Sequence, residues 1–402
     1  MKVSIKTMPK TSMTCDVLIV GAGPAGLSVA ATLPDDISTI IVHQDKEIGK
    51  PVRTSGGSWL SDVERLGIPK QFYQEISSLD IFSDNESAHF SMNSQKLVVL
   101  DVTGLYRWIA EKSENKNRKL LLDSKFISAE KLTSNQYVST IRSRTTNITE
   151  IRSRYIVDAS GMNCAVLNAF SFVKRPSRYG VGIEYEYPIM ENDPHRAILF
   201  VGNSALSGYG WIFPTPDGKV RVGIGTIHPD TQDSPKKLLD NFLKSSALEK
   251  FGIKIDGAPL TVNAGILPSV PYDRKLVFGN VIRVGDSANF ATPTVGEGIR
   301  ICMELGELLG EQIAKSIESH SSKPLRYYEK VCQRKLSKNY FLGFKANKWL
   351  SFYGPSDWDR NVGRLKRFGE MQAASLIRSE FSTGLALLTI WKLFRRKIVG
   401  VF

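Results

Sequence analysis

Apolar residues along this chain form short unbroken runs near both ends of its first 320 positions and alternating runs between them. The two patterns predict two kinds of sheet. Cys15-Asp16-Val17-Leu18-Ile19-Val20 and Thr39-Ile40-Ile41-Val42 are β-branched and continuous, as buried strands require, and Leu27-Ser28-Val29-Ala30-Ala31-Thr32-Leu33 between them reads as a helix. Val281-Ile282-Arg283-Val284 is a further buried strand, followed by a long helix from Gly298-Ile299 through Ile313. In the middle, Gly180 to Tyr187 alternates and reads as a half-buried strand. Ile198 to Val201, Gly208 to Phe213 and Lys219 to Ile227 read as three more, the last two joined by the turn Pro216-Asp217-Gly218. Arg118 to Ser160 reads as strands separated by Asn- and Ser-rich turns, and only about the first twelve residues read as disordered.

Glycines at the ends of the buried strands turn this pattern into chemistry. Gly21-Ala22-Gly23-Pro24-Ala25-Gly26 lies between strand and helix, where the first glycine permits a tight turn and the second lets backbone approach a pyrophosphate. The third lets the helix pack on the strand. The acid expected at the end of the second strand, for a ribose, is replaced by His43, with Asp45 two residues on. A second cluster, Gly285-Asp286 followed by Pro293, Gly296, Gly298 and Ile299, is more than a nicotinamide site needs. Asp286 can accept from ribityl hydroxyls, and the helix start at Gly298-Ile299 can stabilise charge on a reduced ring, so the pair points to FAD. The alternative for Asp286 is an ordinary N-cap at a strand-to-helix turn.

The order of these motifs resembles the para-hydroxybenzoate hydroxylase type of flavoprotein, and more narrowly the geranylgeranyl reductases. The narrower likeness rests on Glu47-Ile48-Gly49-Lys50-Pro51-Val52-Arg53, on Tyr209-Gly210-Trp211-Ile212-Phe213-Pro214 with Val222-Gly223-Ile224-Gly225, and on Gly285-Asp286. It covers residues 14 to 310 in order. The resemblance implies an α/β fold, with a Rossmann-like FAD-binding domain, an antiparallel-sheet substrate domain and a helical C-terminal extension. It implies cofactor contacts at Gly21, Gly23, Gly26, His43, Arg53, Thr54, Gly57, Gly161, Gly285, Asp286, Gly296, Gly298 and Ile299, and reacting-site roles for Tyr209, Trp211 and Thr54. Strand parity puts Tyr209, Trp211 and Phe213 on one face, as a pocket wall or as plain sheet packing.

The chain departs from the family at several points. Thr54, followed by Ser55-Gly56-Gly57, stands where many relatives carry a cysteine, which removes a thiol role there. Val102 takes the place of an arginine, and Asp158-Ala159-Ser160-Gly161 represents an Asp-Gly motif. The expected division is 13–60, 98–170 and 275–320 for the FAD domain, 61–97 and 171–274 for the substrate domain, and 321–402 for a basic helical region.

Composition places this in a chain of 402 residues, 42% hydrophobic and 23% charged, long enough for two domains and an extension. The four cysteines lack metal-ligand or disulfide spacing, no His/Cys cluster suggests a metal, and Met1-Lys2-Val3-Ser4-Ile5-Lys6 shows no signal-peptide pattern. The cytoplasm is the expected compartment. From Lys323 to Phe402 there are 17 Lys plus Arg against five Asp plus Glu, so this tail carries +12 of the formal +13. Within it, residues 381–399 place Leu387, Ile390, Trp391, Phe394 and Ile398 at helical spacing beside basic residues. That suits a helix in an anionic membrane interface, or one packed on the protein; a nucleic-acid surface is a third reading, with no module to support it.

The expected activity is reduction of isoprenoid (geranylgeranyl) double bonds in lipids or prenyl diphosphates by hydride from flavin N5. NAD(P)H or ferredoxin would donate electrons, and the enzyme would be peripheral at a membrane. A phosphate on the substrate would suit Arg53, Arg175, Lys338 or Lys345. The alternatives are an FAD-dependent monooxygenase or halogenase on an apolar substrate, and a non-catalytic flavoprotein that binds lipid or shuttles electrons.

Overall fold

A computed structural model describes residues 10–144 and 148–380. Among these residues, eight strands form one sheet around a parallel core. Its order is Val277–Phe278, Val281–Arg283, Ile148–Asp158, Lys10–Val20, Thr39–Val42 and Arg118–Leu121, with Ser124–Thr133 and Gln136–Ser143 added as an antiparallel hairpin. Ile148–Asp158 serves both parts: its first half pairs with the hairpin and its end with Val281–Arg283. The register levels the carboxyl ends, because Val20 sits opposite both Val42 and Asp158, and Asp158 opposite Arg283. In an open parallel sheet that edge is where ligands bind.

Pro24–Thr32 and Ile299–Glu318 pack on this sheet and on each other, and glycine makes both contacts possible. A Cβ on Gly26 would lie 2.0 Å from the Gly21 carbonyl oxygen. One on Gly306 would lie 2.7 Å from that of Ala25, and one on Gly310 would lie 2.1 Å from Thr32 Oγ1. Ile301, Cys302, Leu305, Leu309 and Ile313 recur on one face of Ile299–Glu318 and are buried in the core they share with Val17, Ile19, Leu27 and Val29.

The second sheet runs Thr261–Pro268, Tyr179–Pro188, Lys219–His228, Gly208–Pro214, Arg196–Phe200, Ser78–Phe82 and Ser87–Ser91. It is antiparallel except where Arg196–Phe200 meets Ser78–Phe82. Its outer face packs Phe200, Ile212, Val222 and Ile224 against Leu239 and Phe242 of the helix Pro235–Leu243. A small sheet of Gly57–Trp59, Leu97–Leu100 and Tyr73–Ile76 lies beside it. The helices Lys323–Leu350, Pro355–Leu365 and Glu370–Ile377 complete the described chain.

Two expectations are corrected, and two placements are added. The first strand starts at Lys10, because Lys10, Thr11 and Ser12 pair with Ile148, Thr149 and Glu150, so residues 10–12 are not disordered. The helix expected to end at Ile313 continues to Glu318. Thr261–Pro268 is a strand that the residue pattern did not announce. Gly57 opens a strand, away from the cavity described below. The segment 381–399 lies outside the described residues. Gly26→Ala is expected to destabilise the apoprotein by about 1–3 kcal/mol or more, since backbone rather than a movable side chain blocks the added methyl. An unchanged thermal midpoint would contradict the packing described.

Candidate functional site

The level strand ends, the inner face of the second sheet and the C-terminal helices enclose one cavity of about 1990 Å³. That is roughly twice the upper end of the usual range for a small-molecule site, about 300–1,000 Å³. At its sheet end the three glycines do different things. Gly21 has φ +112° and its missing Cβ leaves room for the Ala159 carbonyl, which would otherwise be 2.1 Å away. Gly23 meets nothing within 4 Å, so its cavity side is open to an incoming group at the start of Pro24–Thr32, while Gly26 holds helix against turn. This is a phosphate-sized approach to a helix N-terminus.

His43 follows the second strand. Its Nδ1 accepts a hydrogen bond from the Ala22 N–H at 3.2 Å, and its Nε2 lies 3.2 Å from Asp45, which Arg53 grips through both oxygens at 2.6 and 2.9 Å. Burial pushes the imidazole pKa down against the pull of Asp45, with Arg53 adding to the fall, so His43 is the neutral tautomer with its proton on Nε2. The end of the second strand thus offers an imidazole already bonded to the glycine turn, beside a carboxylate paired with Arg53.

The neighbouring Asp158 turns inward. It accepts from the Ser160 hydroxyl at 2.6 Å and from the backbone N–H groups of Ser160, Val166 and Leu167, and so fixes the turn that presents Gly161, φ +69°, to the cavity. In the second cluster Gly285 has φ +73°, and a Cβ there would touch that of Ala25 at 2.9 Å. Asp286 lines the cavity inside the short turn Gly285–Ala288. It does not cap the long helix, whose N-cap is Gly298, and this settles the alternative left open for it. Burial lifts its carboxyl to about 6. Gly296, Gly298 and Ile299 also line the cavity, placing a second helix N-terminus there. Val102 contributes only aliphatic surface.

Across the cavity, Tyr209 and Trp211 share the inner sheet face, whereas Phe213 lies further along against Gly57, at 3.4 Å from where a Cβ would sit. The Gly-x-Gly that follows the aromatic motif acquires a reason. Trp211 is opposite Gly223 and Tyr209 opposite Gly225, and a Cβ on Gly223 would penetrate the Trp211 ring at 2.3 Å, so the indole lies flat on a bed of Gly182, Gly223 and Gly225. Tyr209 donates its hydroxyl proton to the Val295 carbonyl at 2.6 Å, clamping the loop between Pro293 and Gly298; burial raises its pKa, with Glu297 adding to it. That phenol is therefore a positioning group and a poor acid.

A polar cluster behind Trp211 escaped the reading of the sequence. Trp211 Nε1 donates to Glu184 at 2.9 Å and Asn263 donates to Glu184 at 3.1 Å. Arg221 donates to Glu186 at 2.9 Å and, across the gap to the other half, to the carbonyls of Ser55 at 2.9 Å and Leu100 at 3.1 Å. Glu184 and Asn263 line the cavity, and burial pushes the Glu184 carboxyl up against the opposing pull of Arg221. The available signal was parity: Glu184 and Glu186 share a strand face, and Arg221 faces Glu186 in the register. Thr54 and Ser55 reach the cavity beside this cluster. A Cβ on Gly265, two residues past Asn263, would lie 2.0 Å from the Arg53 carbonyl oxygen. Arg175 lines the cavity and donates to Asn163 O; Lys345 lines its far end; Lys338 is exposed and does not line it.

Residues 14–339 match the model of the FAD binding domain. The chain belongs to that family. It is an FAD-dependent oxidoreductase, and the glycine turns, the open side of Gly23 and the Asp286 carboxylate suit the cofactor. The flavoprotein is 26% identical to digeranylgeranylglycerophospholipid reductase 3 of Methanosphaera stadtmanae, over 96% of this chain and 94% of the relative. Among solved structures it resembles a geranylgeranyl bacteriochlorophyll reductase-like protein from Thermoplasma acidophilum, with TM-score 0.79 and 20% identity over 90% of this chain and 96% of that one. It also resembles a p-nitrophenol 4-monooxygenase from Pseudomonas putida, with TM-score 0.67 and 16% identity over 92% and 96%. These two likenesses concern the fold.

Gly23→Ala should leave the thermal midpoint of the apo-flavoprotein unchanged while weakening FAD, as read by flavin fluorescence titration; a lowered midpoint would mean that the open space is not there. Asp286→Asn should weaken FAD roughly tenfold to a hundredfold, the value of hydrogen bonds to a charged acceptor. Because folding raises this carboxyl, the stability it contributes is present below the ordinary Asp value and lost as pH rises through about 6. Apo Asp286→Asn should therefore gain on the native chain above that pH, and melting curves parallel across pH would contradict it.

Proposed function

We propose that this flavoprotein saturates carbon–carbon double bonds of isoprenoid chains carried by lipids or their diphosphate precursors. The observation that supports the reading is the continuity of the cavity. It runs from the two glycine clusters, past Tyr209 and Trp211, into an aliphatic region of Ile81, Leu199, Leu342, Leu350, Leu376 and Ile377, with room for a long chain beyond a dinucleotide. The name of the Methanosphaera relative agrees with it.

FAD, when bound and reduced by NAD(P)H or a ferredoxin, supplies the hydride, two electrons with one hydrogen. The chain's own residues supply orientation and a proton. An isolated alkene offers no carbonyl to polarise, so the flat face of Trp211 and the aliphatic wall do most of the positioning. The Glu184 carboxyl is the group that holds the proton. Arg221 Nε lies 2.9 Å from Glu186 and 3.6 Å from Glu184, and Lys219 is also closer to Glu186, so two carboxyls share cations that favour only one of them. Glu184 accepts from the neutral donors Trp211 and Asn263, and burial raises its carboxyl pKa against the pull of Arg221, which favours the protonated form at the cavity wall. One hydride and one proton convert the double bond to a single bond, and Glu184 regains its proton from solvent through the cavity. Thr54, a hydroxyl of high pKa, holds water or cofactor beside it.

The dithionite-reduced protein, given a geranylgeranyl lipid without oxygen, is expected to reoxidise its flavin and yield a product heavier by hydrogen pairs. Reoxidation only on admitting oxygen would favour a monooxygenase or halogenase and sink the reading. Glu184→Gln should slow anaerobic reoxidation roughly a hundredfold, a typical general-acid contribution. The native rate should fall as pH rises through the Glu184 pKa, and the variant should lack that limb; a native-like rate and profile in the variant would remove Glu184 from the role.

A further inference from the structure

The far mouth of the cavity carries a surface that the reaction itself does not explain. On the helix Lys323–Leu350 and just beyond it, Phe341, Lys345, Trp349 and Phe352 follow one another at helical spacing, and the three aromatics are 54%, 52% and 77% exposed. Lys345 lies over the Phe341 ring and Lys348 over that of Phe352, while Lys348 also pairs with Asp230 at 3.2 Å. Lys345 and Trp349 line the cavity while being exposed, and so do Arg364 and Arg367 of the adjoining segment, which makes these four the rim of its opening. The same helix carries eight Lys plus Arg and one acid, Glu329.

We infer that this face seats on an anionic bilayer, with Phe341, Trp349 and Phe352 entering the headgroup region and the basic rim bound to lipid phosphates. Interfacial aromatics flanked by cations are the pattern that such a surface recognises. Among the described residues no helix is long and apolar enough to cross a membrane, so the helix lies on the bilayer. A lipid tail then passes from bilayer to cavity between Trp349 and Leu365 without crossing water. This inference rests on the lipid-substrate reading for its purpose. It is separate from the segment 381–399, and its readout, flotation, does not depend on turnover.

The test floats the full-length, FAD-loaded protein with phosphatidylcholine vesicles made with and without phosphatidylglycerol. The native protein should float with the anionic vesicles, with Trp emission shifting to the blue. Phe341→Ser combined with Phe352→Ser should reduce flotation tenfold or more, as loss of roughly two buried rings implies. Neither residue lines the cavity, so the doubly substituted protein should keep its flavin spectrum, its melting point and its reduction of a detergent-dispersed substrate. Equal flotation of native and substituted proteins would overturn the inference. So would stronger binding after removal of the residues beyond Glu380, which would mean that the chain's own tail covers the face. Flotation without alkene reduction would instead defeat the reductase reading and leave the membrane face standing.

Discussion

The structure depends on a close approach of backbone to backbone that no side chain permits. Gly21 and Gly26 bring turn, strand end and helix together at distances where a single methyl would overlap a carbonyl oxygen, at 2.1 Å from Ala159 and 2.0 Å from Gly21. Once Pro24–Thr32 is seated so deeply, Ile299–Glu318 can cross it only through Gly306 and Gly310, and its own N-terminus is carried to the same cavity. Two helix N-termini then face one volume from different sides. Partial positive charge converges where an anionic cofactor and a reduced ring would place negative charge.

Polar links add to the packing between the two larger sheets. Arg221 reaches from the second sheet to the carbonyls of Ser55 and Leu100, Tyr209 reaches to Val295, and the bare Gly265 lets its strand abut the Arg53 carbonyl. Burying Arg221 with two acids is weak evidence for stability, because desolvation offsets much of the attraction. Its effect is positional: removing the guanidinium would take from Glu186 its shortest ionic contact and untie the Arg53–Ser55 segment. The same cluster orients Trp211 through its indole N–H, so the cavity wall and the link between the halves share one set of hydrogen bonds.

What was legible in the sequence follows from how local each cause is. The parallel strands and the glycine turns announce themselves because burial on both faces and left-handed backbone restrict residue type position by position. Thr261–Pro268 was missed because its apolar positions do not alternate cleanly. It is an edge strand carrying Asn263 inward, and Leu260, Val262 and Ile266 beside it are exposed. Gly57, a cofactor contact that the resemblance implies, opens a strand of the three-stranded sheet against Phe213, a placement set by pairing with Val99 and not by any local pattern. The Glu184 cluster needed a register between distant strands, and no local pattern encodes that. His43 stood out as a departure from an acid, yet its hydrogen bond to Ala22 is visible only once the strand ends are level.

The cavity orders its chemistry along one direction, and that order constrains what it can process. Charge and hydrogen-bond capacity gather at the sheet end, around His43, Asp286, Arg53 and the Glu184 cluster. Further along, aliphatic and aromatic side chains such as Ile81, Leu199, Tyr209, Trp211 and Ile377 are joined by uncharged Ser207, Asn347 and Asn361, and cations return at the exposed rim of Lys345, Arg364 and Arg367. Under the proposed lipid-reductase reading, the cofactor takes the sheet end, so an apolar chain with an anionic head would place its head at the basic rim and its tail toward the cofactor. In the proposed reading, the distance from head to reacting bond is then fixed by the protein. Selection among several double bonds becomes a matter of how far the chain threads past Trp211 rather than of any chemical difference between them.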